Sequence, residues 1–172
     1  MFGLKKRLRS ADRPKLERDE RVIAWAPVAG STGRPVVVTT RGVFLPDHER
    51  LGWHQIHKAA WAGPRLTVTP AVRVGAGEGY EVMADDAPVE VALASPDDVP
   101  AEVRKRVTAS VAYTEHHELP GGGVRVVGRR VAGRNGLAWH VRYDPGTDAA
   151  DPEIVAATSA LVADAVVATT VP

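Results

Sequence analysis

The chain contains no cysteine. That excludes a disulfide framework, a thiolate metal site and a cysteine nucleophile, and it makes a reducing cytoplasm the expected setting. An excess of one charge is also missing: 22 Lys and Arg stand against 21 Asp and Glu, for a net charge of +1. Such a balance predicts no strong overall attraction to nucleic acid or membrane. The N-terminus lacks the apolar core of a secretory signal, because cations interrupt every apolar run in MFGLKKRLRS. One long, nearly uncharged stretch exists, Ile154 to Pro172, but it carries Ser159 and Asp164 and has no basic flank. A buried Ala/Val-rich helix suits it better than a membrane span. Compact catalytic signatures are absent as well: there is no Gly-x-Ser-x-Gly elbow, phosphate-binding lysine loop, paired-histidine zinc helix or acid-rich metal cluster. The expectation is therefore a non-enzymatic protein without cofactor or metal.

What is there is the composition of a globular protein, with 44% hydrophobic and 25% charged residues over 172 positions. That is enough chain for one core with an appended element. Only 5% of residues are aromatic, and three of the four tryptophans, Trp25, Trp53 and Trp61, fall between Arg21 and Val68. The densest β-branched runs lie there too, so this stretch is read as the nucleus of an antiparallel sheet. Pro35 to Thr40 and Val43 to Leu45 flank Arg41-Gly42 as a tight hairpin, with Gly42 free to take a positive φ. Gly30-Ser31-Thr32-Gly33 is a turn rather than a phosphate cradle, since no lysine and helix follow it.

Residues 1–20 hold Lys5, Lys6, Arg7 and Arg9 around Phe2, Leu4 and Leu8 as a short basic helix broken at Pro14. Met1 to Arg21 carries eight cations against four acids. The segment is either a weak anchor to an anionic surface or a solvated, frayed terminus, and the second is favoured. Further on, His54-Gln55-Ile56-His57 reads as a single helical turn or a bulge. Two histidines three apart share a face only if the turn is helical, and no third ligand stands at a recognisable spacing. Arg65 to Pro70 is a strand and Val72 to Gly79 an irregular connection. Tyr80 to Met83 and Val89 to Ala94 form a hairpin around Asp85-Asp86-Ala87-Pro88. A helix then starts at Pro96 or Pro100, with Val99, Val103, Val107 and Val111 as its apolar stripe and His116 and His117 in its last turn. Pro120-Gly121-Gly122-Gly123 ends it.

The order VIAWAPV (22–28), VVVTTRGVFLP (36–46), LGWHQIHKAAW (51–61), RLTV (65–68) and the helix beginning SPDDVPAEVRKRV (95–107) resembles the bacterial pleckstrin-homology-like domains. The resemblance covers about two-thirds of the chain. It implies an α+β fold, a bent antiparallel sandwich or barrel over residues 21–119 capped by one helix. It also implies a scaffold that binds peptides, protein surfaces or lipid headgroups without catalysis. The lipid-binding version resembles a first loop rich in Lys and Arg; here that loop is AGSTGR, with Arg34 alone.

Residues 120–172 lie outside that likeness as an appended β-β-α element. Val124 to Val131 and Leu137 to Tyr143 flank Gly133-Arg134-Asn135-Gly136 as a hairpin, with a bulge near Gly128. Leu137, Trp139, Val141 and Tyr143 form its core face; Arg125, Arg129, Arg130, Arg134 and Arg142 give it a basic outer face. Asp151-Pro152-Glu153 starts the last helix, whose face of Ile154, Val155, Leu161, Val162, Ala165 and Val166 must be buried on the hairpin or on a second subunit.

The functional expectation is a binding or scaffolding domain whose partner is another protein or a second copy. The candidate anionic-ligand contacts are Lys5, Lys6, Arg7, Arg9, Arg129, Arg130 and Arg134. The alternative is a peripheral contact with an anionic membrane surface or with nucleic acid, made by the basic N-terminus and the arginine-rich hairpin. Nucleic acid is disfavoured, because basic strands without stacking aromatics are usually only solvated. A small hydrolase using His54, His57, His140 or Glu115 is the reading from another class.

Overall fold

The computed structural model describes residues 7–170 as an α+β fold of curled antiparallel and mixed sheets with two α-helices. Lys5 and Lys6 lie outside the described residues. The first sheet is a meander of β1 (Val22–Ala26), β2 (Val36–Thr39), β3 (Gly42–Phe44) and β4 (Leu51–Gly52), antiparallel throughout. A 3-10 turn (Trp53–Gln55) leads into β5 (Ile56–Ala62), β6 (Arg65–Gly77), β7 (Tyr80–Asp85) and β8 (Val89–Ala92). Helix α1 (Val99–Ser110), strands β9 (Val111–Leu119), β10 (Gly122–Arg130) and β11 (Leu137–Tyr143), and helix α2 (Pro152–Thr170) complete the chain.

The second sheet runs β5-β6-β7-β11-β10-β9, with β8 also on β6. Its one parallel junction is β11 against β7, where His140 faces Glu81 and Val141 faces Val82. A bridge between Val28 and Leu93 ties the two sheets together. The first core lies between them: Val36, Val38 and Val43 meet Ile56, Leu66, Val68, Val91 and Leu93, and α1 closes it with Val99 and Val103. A second core lies under α2, where Val162 and Ala165 pack on Tyr80, Val124, Val126 and Val141.

Four sequence expectations change. The first concerns α1, which stops at Ser110, so that Val111, His116 and His117 belong to β9 and pair with Arg129, Arg125 and Val124. A repeat of four places residues on one face of a helix and equally on one face of a strand, so the valine stripe could not locate the junction. Ladder bonds to β10 capture Val111-Ala112-Tyr113, and Arg130 hydrogen-bonds the Ala109 carbonyl at 2.9 Å, satisfying an end the helix would leave open. Pro120 to Gly123 makes the β9–β10 turn, with Gly121 at φ 77°.

Second, β6 continues to Gly77 through a bulge between Arg73 and Gly75, where an irregular connection was expected. A Cβ on Gly77 would run into the Tyr80 ring, so glycine is what lets this tight hairpin close. Third, β7 and β8 do not pair with each other. Both pair with the long β6, β8 along 65–68 and β7 along 71–77. Fourth, Gly42 does not have a positive φ; its need is space, because a Cβ there would strike the Leu51 carbonyl.

The hairpin of β10 and β11 forms as expected, with a register shift between Gly128 and Arg129 on the β9 side. Helix α2 starts as expected too: Asp151 Oδ1 accepts the Glu153 amide at 2.8 Å. Its apolar face is only partly covered. Ile154, Val162 and Ala165 are buried, whereas Val155 and Val166 are exposed. By length and composition α2 could cross a membrane, yet here it lies along β9 and β10.

Residues 7–20 show no basic helix, only a 3-10 turn at Ser10–Asp12. Nor is their acidic end frayed. Glu17 and Asp19 hold Arg41, Glu17 and Glu20 hold Arg50, and the buried Glu20 accepts the Thr39 hydroxyl at 2.5 Å. The Thr39 oxygen in turn accepts the Arg41 and Gly42 amides at 3.1 Å, so this clamp builds the β2–β3 turn.

Candidate functional site

Three separate segments meet at a pocket of about 530 Å³. The β2–β3 turn contributes Arg41, the end of α1 contributes Arg106, Ala109 and Ser110, and the β10–β11 connection contributes residues 130–132 and 134–137, with Trp53 also in the lining. Each arrives for a local reason. Gly133 (φ 79°) and Gly136 (φ 76°) turn the loop, and a Cβ at Gly133 would lie 2.8 Å from the Arg41 guanidinium, so glycine lets these two segments touch. Trp53 is buried because its indole N–H reaches the Thr39 carbonyl at 3.2 Å.

Among the described residues, four arginines line this pocket, Arg41, Arg106, Arg130 and Arg134, and no carboxylate does. Their charge is not equally available. Arg41 is paired with Asp19 at 2.7 Å and Glu17 at 3.1 Å; the Asp19 bond chiefly raises its pKa and lowers that of Asp19, while Glu17 is lowered first by its hydrogen bond from Arg50 and then by Arg41. Arg106 lies 3.3 Å from Glu102. Arg130 bonds only the Ala109 and Val111 carbonyls, and Arg134 has no carboxylate partner among the described residues.

Behind this wall lies a polar layer on the sheet face opposite α2. Arg129 and His140 are diagonal neighbours in the β10–β11 ladder, since Arg129 faces Ala138 and His140 faces Val127. Both are buried, Arg129 to 6% exposure. The Arg129 Nη1 donates to Ser110 Oγ at 2.8 Å, while its Nε and the His140 Nδ1 have no partner. Burial, and then the neighbouring Arg142, push the Arg129 guanidinium down from its ordinary value. Burial pushes the His140 imidazole down to about 4, with Arg129, His54 and His57 adding to the effect and Glu81 opposing it. His54 and His57 are lowered by burial in the same way. His57 Nδ1 sits 2.7 Å from Asp85, which Arg142 also holds at 2.8 Å.

The structure thus places His54 and His57 within electrostatic reach of His140 and leaves Glu115 apart, on the edge strand β9 with the Tyr113 hydroxyl. An imidazole oriented by a carboxylate can exchange a proton, and among the described residues no hydroxyl is hydrogen-bonded to any of these rings. Among the described residues no group of three His, Asp or Glu could hold a metal ion.

Of the expected anion contacts, Arg130 and Arg134 line the pocket. Arg129, expected on the outer face, points inward instead, as does His140. Arg7 and Arg9 are exposed, with Arg9 paired to Asp12 at 2.7 Å. Arg41, Arg106, Trp53 and Ser110 escaped the sequence reading, for nothing local marks residues gathered from three distant segments. Comparison of the chain with protein-family profiles, curated proteins and solved structures finds no match.

Proposed function

We propose that this chain is a non-enzymatic binding domain with a pleckstrin-homology-like core, and that its binding element is the arginine-lined pocket, which takes an anionic ligand. The core assignment is supported by the order of elements: a four-stranded meander, a second sheet, and α1 laid into the hydrophobic space between them. The first loop, with Arg34 as its single cation, offers little to a lipid headgroup, so the ligand is placed elsewhere. The carrying observation is the lining itself, four guanidinium groups without a carboxylate among them. Guanidinium donors in fixed positions recognise oxyanions in a bidentate manner.

Calorimetric titration of tripolyphosphate into the full chain tests this. Saturable binding is expected, weakening as salt rises and falling by about tenfold or more in Arg134→Glu. No binding at millimolar concentrations, or binding indifferent to Arg134→Glu, overturns the proposal.

A further inference from the structure

Resting on that reading of the pocket, we infer that its ligand is a small organic phosphate, a phosphomonoester carried on an apolar body. The first argument is charge. Arg41 and Arg106 have acidic partners, but Arg130 and Arg134 have none, and neither has Arg129 one layer behind them. Two guanidinium groups without a carboxylate partner among the described residues therefore line the pocket, and a third, Arg129, bonds the Ser110 hydroxyl in its wall. A monocarboxylate would cancel one of them. A phosphomonoester carries about −1.5 to −2 at pH 7 and offers three acceptor oxygens.

The second argument is Arg129 itself. A buried arginine cannot shed its charge, and one without an ionic partner is an unusual thing for a fold to hold. Its Nη1 is fixed on Ser110 Oγ, and Ser110 is part of the pocket wall. An anion seated in the pocket on the far side of Ser110 would supply the missing counter-charge through space. The Ser110 hydroxyl donates its proton to the Val107 carbonyl at 2.7 Å and accepts from Arg129, so it holds that guanidinium against the pocket wall, and the donors to the anion are Arg130 and Arg134.

The third argument is size and lining. A pocket of about 530 Å³ is in the range of small-molecule clefts and far exceeds a bare phosphate ion. The lining also includes Trp53, Val131, Ala132 and Leu137, apolar surfaces that would cover an aromatic or aliphatic group.

Three probes separate the alternatives: phenyl phosphate, inorganic phosphate and benzoate, each titrated into the full chain with binding followed by calorimetry. Phenyl phosphate is expected to bind about tenfold or more tighter than either of the others. That preference over benzoate is expected to shrink in Arg129→Met and to survive in Arg129→Lys, with urea midpoints recorded for both variants to show that they fold. If Arg129→Met does not fold, Arg134→Ala serves in its place, being exposed, and the same loss of preference is expected. Equal binding of phenyl phosphate and benzoate overturns this inference while leaving an anion pocket standing. A preference unchanged in the folded variant overturns it too. Failure of every probe, tripolyphosphate included, removes the pocket reading on which it rests.

Discussion

At the scale of single residues, burial changes what a side chain can be. His140 alternates with Trp139 and Val141 along its strand and was expected to face solvent, yet it is buried beside Arg129 and near Glu81. The fold holds it neutral: its imidazole takes a proton only near pH 4, whereas in the unfolded chain it does so near 6.5. Between those values the unfolded chain binds more protons, so stability is full above about pH 6.5 and falls as pH drops towards 4. The loss from His140 alone reaches on the order of 3 kcal/mol, and His54 and His57, shifted the same way, add to it. Urea midpoints measured from pH 7 to 4.5 should therefore fall less steeply in His140→Asn than in the parent. An identical slope would refute this account of the buried layer. Gly42 teaches the same lesson in steric form, since the sequence suggested backbone freedom and the need is room for the Leu51 carbonyl.

Among the elements, α2 was legible because its signals are local. Asp151, Pro152 and Glu153 act within one turn, and the Asp151 carboxylate accepts the Glu153 amide as such a start requires. Replacing Asp151 with alanine should lower stability by about 1 kcal/mol, and Asp151→Ser should restore most of it, read from chemical denaturation. An unchanged midpoint in the alanine variant would show that the cap is decorative. The end of α1 was not legible. Val99, Val103, Val107 and Val111 satisfy both helix and strand periods, and only the ladder to β10 decides that Val111 is already strand. Likewise, two short strands around Asp85 to Pro88 look like a hairpin until β6 proves long enough to pair with both.

For the whole molecule, β6 and β7 are what join the two cores. The first half of β6 carries Leu66 and Val68 into the core under α1, and its second half pairs with β7, which brings Tyr80 into the core under α2. No flexible linker intervenes, so the two cores should unfold as one unit. Fluorescence of a variant keeping only Trp53, which reports the first core, and of one keeping only Trp139, which reports the second, is expected to give the same fraction unfolded at each urea concentration once corrected for each variant's stability. Two separated transitions, or an intermediate seen by circular dichroism, would mean that the sheet junction does not couple them.

The sequence alone determined the α+β class, the turns at Arg41-Gly42 and Gly133 to Gly136, and the start of α2. These follow from interactions spanning a few residues, where side-chain periodicity and glycine or proline geometry carry the information. Tertiary structure decided that Arg129 and His140 turn inward, that Glu17, Asp19 and Glu20 clamp Arg41 and Arg50, and that Arg41 and Arg106 join the pocket. Those outcomes depend on which distant strands pair and which face the bulge at Gly128 exposes, and long-range pairing is chosen by the burial of the whole sheet rather than by neighbours in the chain.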